Sequence, residues 1–286
     1  MSHRTEYRYA QPMADGFTAT HLTPRDTPWQ HVVSVALHVD PRPDELDESF
    51  DQFGNPVTRF AVHRPHAALL VESTIVVDVQ PAPVVSSTSS WSEIAAEASS
   101  ASGDLAVELG PYLAHTAQTP QLDSLADLTD AEFTPGRSIV EAVSGLCARI
   151  YYGFRFEPGI TDVTTPLASV LSERHGVCQD FAHVSVAALR RVGIPARYVS
   201  GYIETHPPEG EPKLVGVDAS HAWCSAWAGE LGWLDFDPTN NQMPPLRHVT
   251  VGWGRDYDDV APVRGVVIGP GGDQSLTVSV DVAALD

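Results

Sequence analysis

The sequence contains a single lysine, Lys213, among 17 basic side chains, whereas its 37 acidic side chains leave a formal net charge of −20. Such an excess of negative charge repels nucleic acids and anionic membranes, because both are polyanions. Neither is therefore expected as a partner. With so little lysine, an enzyme that joined glutamine to lysine would also be a poor substrate for itself.

Cysteine is scarce as well, and Cys147, Cys178 and Cys224 form no CxxC pair. Three widely spaced thiols do not predict a disulfide framework. No run approaches the roughly 20 apolar residues of a membrane-spanning helix, and the N-terminus lacks the apolar stretch of a secretory signal. We therefore expect a cytoplasmic protein, and 286 residues favour two modest domains.

Hydrophobic residues alternate with period two in the first part of the chain. In VVSVALHVD (32–40) this places Val33 and Val39 on the same face of a strand, and residues 69–81 alternate similarly. Turn-forming residues separate these segments. The pattern predicts an antiparallel β-sandwich domain over residues 1–82.

A proline- and serine-rich passage, residues 80–90, then marks the predicted boundary with a second domain, residues 83–286, which includes a C-terminal β tail. Apolar residues now recur every three to four positions, which predicts helices over 91–99 and 137–154. Cys147 lies beside the apolar stripe of the latter helix and is expected to be buried and unreactive.

The order of elements after residue 176 predicts an α+β unit, with one helix packed on an antiparallel sheet. Residues 178–192 form the predicted helix, which Gly193 and Pro195 end. Three predicted strands follow, at 196–204, 221–229 and 232–237.

Cys178 is the first residue of that helix, in the segment HGVCQDFAH (175–183). The unpaired N–H groups and positive dipole end of a helix N-terminus favour a thiolate over a thiol. The same N–H groups can hold an oxyanion. Cys178 could thus be a nucleophile, although a lone cysteine at a helix start is also explained by packing or by metal binding.

A thiolate nucleophile needs a base, which is usually a histidine oriented by a carboxylate or amide. Strand alternation puts His221 on the same face as Trp223 and Ser225, and Asp235 and Asp237 share one face of the next strand. A hairpin between these strands would bring His221 to one of the two aspartates.

The segments GVCQDFAH, LRRVGIPARYVSGYIE, DASHAW and GWLDFDPTN resemble the transglutaminase-like superfamily, which shares the papain-like cysteine peptidase fold. In that family the corresponding cysteine is the nucleophile, the histidine is the base, and the aspartate before Pro-Thr orients it. The resemblance assigns these roles to Cys178, His221 and Asp237, with Asp237 preferred to Asp235. The N-terminal YRYAQP and FGNPV resemble the β-rich leader domain of the bacterial branch, and residues 254–272 resemble its tail.

The family also uses an upstream side chain to complete the oxyanion hole, for which Tyr152, or its neighbour Tyr151, stands at about the right place. Asp180, at the third helical position, is explained equally well as a first-turn acid that suits the helix dipole. We treat both Tyr152 and Asp180 as support rather than as the reacting groups.

A zinc site is the main rival interpretation. Its candidate ligands are Cys178, His175, His183, His221 and Cys224. Their spacing argues against it, because strand alternation points Cys224 away from His221 and no paired-ligand motif is present. We expect neither a metal nor another cofactor, although Asp256, Asp258 and Asp259 could together bind a cation. His63 and His66 are expected to close a turn.

The resemblance implies a cysteine-dependent acyl-transfer enzyme that acts on peptide or protein substrates, most simply as a peptidase or amidase. Two alternatives stay open: a protein-glutamine transglutaminase with an amine acceptor, and a catalytically silent peptide-binding module. Trp223, Trp227, Trp233 and Trp253 suggest an aromatic-walled cleft, or simply core packing. The sequence does not predict the oligomeric state.

Overall fold

A computed structural model describes residues 1–204, 220–243, 245, 247–270 and 272–285. Lys213 lies outside the described residues. The strands are β1 (Ser2–Met13), β2 (Asp15–Thr20), β3 (Gln30–Asp40), β4 (Glu45–Phe50), β5 (Pro56–Val62), β6 (His66–Val79), β7 (Arg155–Phe156), β8 (His175–Gly176), β9 (Ala196–Ile203), β10 (Ser220–Trp227), β11 (Trp233–Phe236), β12 (His248–Gly254), β13 (Val263–Ile268) and β14 (Gln274–Asp281). The helices are α1 (Trp91–Ser100), α2 (Gly103–Leu113), α3 (Ala126–Glu132), α4 (Ile139–Gly153), α5 (Leu167–Glu173) and α6 (Cys178–Arg191).

Two four-stranded antiparallel sheets, with strand orders β14-β1-β6-β3 and β13-β2-β5-β4, form the β-rich region. A cluster of buried side chains lies between them, and Val71 and Leu22 at its centre are 0% and 1% exposed. The predicted N-terminal β region is therefore present.

The C-terminal tail is placed differently from the sequence prediction, which grouped it with the catalytic domain. Strand β13 pairs with β2 and β14 pairs with β1, so both complete the two N-terminal sheets. Periodicity reveals a strand but not its partner, and these partners are more than 200 residues away. The boundary near residue 82 stays a prediction, and residues 80–88 have no regular secondary structure.

Val33 also departs from the predicted alternation, because it is 59% exposed whereas Val39 is buried. The pairing of β3 with β6 shifts register between Val32 and Ser34, which makes Val33 the extra residue of a β-bulge. A bulge leaves one residue outside the two-residue repeat, so the side chains before and after it no longer share a face.

The second part of the chain contains the predicted α+β unit. Its sheet has the antiparallel order β11-β10-β9-β12, and α6 packs on one face of it. The Cys224 thiol, on that face, donates a hydrogen bond to the Ala182 carbonyl in α6 at 3.3 Å. Helix α4 buries Leu146 and Ile150 completely, together with Cys147, in the same core.

Two side-chain amides from the β-rich region pair with the backbone of β12, an edge strand of this sheet. The Gln30 amide donates to the carbonyl oxygen of Thr250 and accepts from its N–H, both at 2.8 Å. The Asn55 amide donates to the carbonyl of Trp253 at 2.8 Å and accepts from its N–H at 3.0 Å. These amides take the place of a neighbouring strand and thereby tie β12 to the sandwich.

None of the helices in the described residues is long and apolar enough to span a membrane.

We expect Asn55→Ala to lower the free energy of unfolding by about 1–3 kcal/mol, because it leaves the N–H and C=O of Trp253 without their partner. Urea unfolding followed by circular dichroism measures this. The control is Gln52→Ala, an exposed amide in the same turn. Equal unfolding midpoints for the two variants would contradict the proposed tie.

Candidate active site

Cys178 lies at the N-terminus of α6, directly after the short strand β8. It is partly exposed, whereas Cys147 and Cys224 are buried. Strand β8 pairs in parallel with β7, which places the segment after α4 beside the entry to the helix. The N–H groups of the first turn of α6 therefore lie beside a thiol that is accessible to solvent.

Asp180 caps this end of the helix. Its Oδ2 accepts the N–H of Val177 at 2.8 Å and the hydroxyl of Thr161 at 2.6 Å. Burial raises the pKa of this carboxyl, against the effect of those hydrogen bonds. A Cβ on Gly176 would lie 2.6 Å from Asp180 Oδ2, so the absence of a side chain there makes room for the cap. Asp180 thus has the contacts of a helix-capping residue.

His221, near the start of β10, contacts both Cys178 and Asp237. Its Nε2 lies 2.8 Å from Asp237 Oδ2, and the Cys178 thiol lies near enough to the ring to raise its pKa. Because Asp237 occupies Nε2, Nδ1 is the nitrogen available to the thiol. Burial disfavours a charged ring, but the hydrogen bond with Asp237 and the nearby Cys178 thiol outweigh it and raise the pKa of His221 to about 10.

Asp237 directly follows β11 and is 0% exposed. Its Oδ1 accepts the N–H groups of Thr239 and Asn240, at 2.8 and 3.2 Å, because the turn after Pro238 folds back on the carboxylate. Its Oδ2 accepts from His221 and from the Asn240 amide at 2.7 Å. Burial alone would raise the pKa of Asp237, but these hydrogen bonds hold it far below its usual range.

Asp235 is on the same face but does not reach His221. Its Oδ2 is 3.5 Å from the indole Nε1 of Trp223, and it faces Ser225 across the strand pair. Burial raises the pKa of Asp235. The sequence analysis considered both aspartates as partners of His221, and in the structure it is Asp237 that contacts the His221 ring.

His248, the first residue of β12, is a member of the cluster that the sequence analysis missed. Its Nε2 lies 2.8 Å from the same Asp237 Oδ2. The ring is 7% exposed and sits edge-on against Trp223, with centroids 4.9 Å apart. The alternation of Val249 and Val251 could have predicted β12, but only strand pairing reveals that its first residue meets Asp237.

Tyr152, the predicted oxyanion donor, lies in the last turn of α4. Tyr152 is 78% exposed, and the ring contact described for it is with Tyr151, at 4.9 Å between centroids. Its position at the exposed end of α4 explains this, because that helix ends before the chain turns toward β7. The N–H groups at the start of α6 are the oxyanion donors that the geometry offers near Cys178.

Of the zinc ligands considered from the sequence, Cys178 and His221 lie together, whereas His183 and Cys224 lie elsewhere. His183 Nε2 accepts the N–H of Tyr257, and Cys224 lies on the opposite face of the sheet from His221. Among the described residues, His221, Asp237 and His248 are the one set with donor atoms close enough to hold a metal ion. In the described structure their 2.8 Å contacts are hydrogen bonds.

The acidic segment near residue 256 is engaged in internal contacts. Asp259 forms an ion pair with Arg255 at 2.8 Å, and Asp256 accepts the N–H of Asp258. In the β-rich region, His63 pairs with Asp15 at 2.9 Å and His66 bonds the carbonyl of Arg64, as expected of residues that close a turn.

Three of the four tryptophans singled out from the sequence line one cavity of about 470 Å³, together with Trp29. Arg197 and Asp235 add charges to it, and His248 forms part of its wall. The guanidinium of Arg197 stacks on Trp233 at 3.5 Å. Trp227 is buried in the core instead. Cys178 is not among the lining residues, so this aromatic cavity adjoins the cluster of His221, Asp237 and His248 without including the thiol.

Comparisons with known proteins agree with this architecture. Residues 1–78 match the family model of the bacterial transglutaminase-like N-terminal region, and residues 125–238 match that of the transglutaminase-like superfamily. A solved structure of a candidate cysteine protease from Cytophaga hutchinsonii is 23% identical, covers 99% of this chain and 91% of its own, and has a TM-score of 0.71. That likeness concerns the fold.

Relatives at higher identity include two that bear on the family. An uncharacterised protein of Mycobacterium tuberculosis is 38% identical over 296 residues, which cover 100% of this chain and 92% of the relative. A protein-glutamine gamma-glutamyltransferase of Pseudomonas aeruginosa is 30% identical over 126 residues, which cover 44% of this chain and 19% of that protein. Similarity of this extent, together with the two family matches and the α+β core built around α6, means that the chain belongs to the transglutaminase-like superfamily.

Proposed function

We propose that this protein is a cysteine-dependent acyl-transfer enzyme that cleaves peptide or amide bonds. The observation that carries the proposal is the placement of the His221 ring beside the Cys178 thiol, with its Nε2 2.8 Å from the buried Asp237 carboxylate. The high pKa of His221 favours an imidazolium at neutral pH, and a neighbouring imidazolium favours a thiolate. Membership in the transglutaminase-like superfamily supports the same assignment.

In the proposed reaction, the Cys178 thiolate attacks the amide carbonyl carbon, and N–H groups at the start of α6 stabilise the oxyanion. The C–N bond then breaks as His221 gives its proton to the leaving amine, which leaves a thioester on Cys178. His221 next takes a proton from water, and the resulting hydroxide attacks the thioester. The carboxylic acid leaves and the thiolate is regenerated, while Asp237 holds the ring in the required orientation.

Transfer to an amine in place of water is the second candidate, because the same residues would activate either acceptor. The similarity to a protein-glutamine gamma-glutamyltransferase over 126 residues favours it. Hydrolysis stays our first choice on the resemblance to protease-like bacterial members. A catalytically silent peptide-binding module would not need these three groups together: a thiol, a histidine beside it, and a buried carboxylate that orients the histidine. The predicted cytoplasmic location and the lack of nucleic-acid or membrane partners stay predictions from composition.

The first prediction concerns the reactivity of the three thiols. We expect iodoacetamide to alkylate Cys178 rapidly at pH 6, because this thiol is partly exposed and lies at a helix N-terminus beside the His221 ring. Cys147 should not react, since burial raises the pKa of its thiol to about 12. Peptide mapping of the native protein across a pH series measures both.

His221→Ala is the informative variant in that experiment. It should slow alkylation of Cys178 at pH 6 at least tenfold and restore it only as pH approaches about 8.5, where an ordinary thiol ionises. His183→Gln, which replaces a buried histidine on the same helix, is the matched control. A Cys178 that reacts at pH 6 no faster than in His221→Ala would contradict the thiolate–imidazolium pair.

The second prediction separates hydrolysis from transfer. A peptide library incubated with the protein should acquire new termini, and adding a primary amine should leave most products unmodified if water is the preferred acceptor. Mass spectrometry identifies both products, and Cys178→Ala should abolish them. Amine adducts as the main product would favour the transglutaminase alternative, and unchanged peptide binding without any products would favour the binding module.

A further inference from the structure

The triad carboxylate holds two imidazole rings rather than one. His248 Nε2 and His221 Nε2 both lie 2.8 Å from Oδ2 of Asp237, and the ring centroids are 5.4 Å apart. His248 does not contact the thiol in the described structure. Its connection to the thiol therefore runs through Asp237 and His221.

The surroundings of His248 determine its protonation state. A carboxylate oxygen only accepts, so Nε2 must carry the hydrogen. Nδ1 is buried and has no partner among the described residues. A cationic ring would place a second, unpaired N–H there, which is costly, whereas the neutral Nε2–H form leaves only a lone pair. Burial likewise lowers the pKa of His248, against the pull of Asp237.

The charged groups around this ring lie on three strands. Asp237 and Asp235 come from the β11 side, His221 from β10, and Arg197 of β9 lines the same aromatic cavity. A protonated His221 lowers the pKa of His248, because two cations on one carboxylate repel each other. At neutral pH the cluster thus holds one imidazolium, at His221, and one neutral donor, at His248.

Packing leaves the His248 ring little freedom to turn. Trp223 meets it edge-on at an interplanar angle of 78°, and Trp223 is itself 0% exposed. Gly201, across the strand from His221, makes room for that indole, since a Cβ there would lie 2.6 Å from the Trp223 ring and would also clash with the Val249 carbonyl. The N–H of His248 is therefore aimed at Asp237 by the sheet itself.

We propose that His248 is a positioning residue of the triad, whose Nε2–H fixes the Asp237 carboxylate and draws negative charge from the oxygen that it shares with His221. The consequence is a His221 imidazolium that is a stronger acid and gives its proton more readily to the leaving amine. This inference rests on the proposed acyl-transfer function, but its central contact is testable without any substrate.

Two variants separate the hydrogen bond from the ring. His248→Phe keeps an aromatic ring without a donor, and His248→Gln keeps an N–H donor that does not titrate. We expect His248→Phe to raise the pKa of His221 by about half a unit or more, and His248→Gln to return it toward wild type. Proton–nitrogen NMR of labelled imidazoles, assigned with His221→Ala, measures the titration. The matched control is His3→Phe, which replaces a buried histidine bonded to Thr5 and Tyr202.

Where a peptide substrate is available, His248→Phe should lower kcat about tenfold, or about 1.4 kcal/mol, with KM little changed, and His248→Gln should recover most of it. An unchanged His221 titration in a folded His248→Phe overturns the inference, as does a failure of His248→Gln to restore it. If turnover is absent in every variant but the titration shifts as expected, the proposed enzymatic function fails and the positioning contact stands.

One measurement needs no variant. In the wild-type protein at neutral pH, the nitrogen chemical shifts of His248 should identify a neutral ring protonated at Nε2 and bare at Nδ1. A ring protonated at Nδ1, or a cationic ring, would overturn the inference even if His248→Phe failed to fold.

Discussion

The buried carboxylate of Asp237 is the group on which the arrangement of the site depends. An ionised carboxylate that is 0% exposed loses its hydration, and an unpaired one would be prohibitively costly. Five N–H groups replace the lost water: two from the backbone of the following turn, one from Asn240, and one from each of two histidines. Removing donors from such a group costs more than any one hydrogen bond contributes, since the charge stays buried.

These N–H donors lie on β10, on the turn after β11 and on β12, so they meet at Asp237 only if the fold fixes the positions of these elements relative to one another. The turn after β11 is local, but His221 depends on the pairing of β10 with β9, and His248 depends on β12. Strand β12 is in turn held on its outer edge by the amides of Gln30 and Asn55 from the β-rich region. The β-sandwich, to which the last two strands of the chain also belong, thereby contributes to the site without supplying any of its side chains.

Local patterns in the sequence were enough to predict the elements that carry the thiol, the histidine and the aspartate. The helix starts at Cys178 as expected, and alternation in β10 and β11 placed His221 on the face of Asp237 and Asp235. Long-range features were not predictable in the same way. His248 reaches Asp237 only because β12 pairs with β9, and β13 and β14 join sheets formed by the first strands of the chain. Tyr152 was proposed from its distance along the chain, which does not determine the direction of an exposed helix end.

The three cysteines illustrate how environment, rather than residue type, determines the chemistry of a thiol. Cys147 donates to the carbonyl of Asp237 from within the core, and burial raises its pKa to about 12, so it can be neither a thiolate nor a nucleophile near neutral pH. Burial also raises the pKa of Cys224, whose thiol points to α6. Cys178 differs in three respects: partial exposure, a helix N-terminus, and contact with a histidine whose partner is a carboxylate that must stay ionised. The charge that the fold confines at Asp237 favours the imidazolium of His221, and Cys178 is the one cysteine of the three that lies beside that ring and is partly exposed.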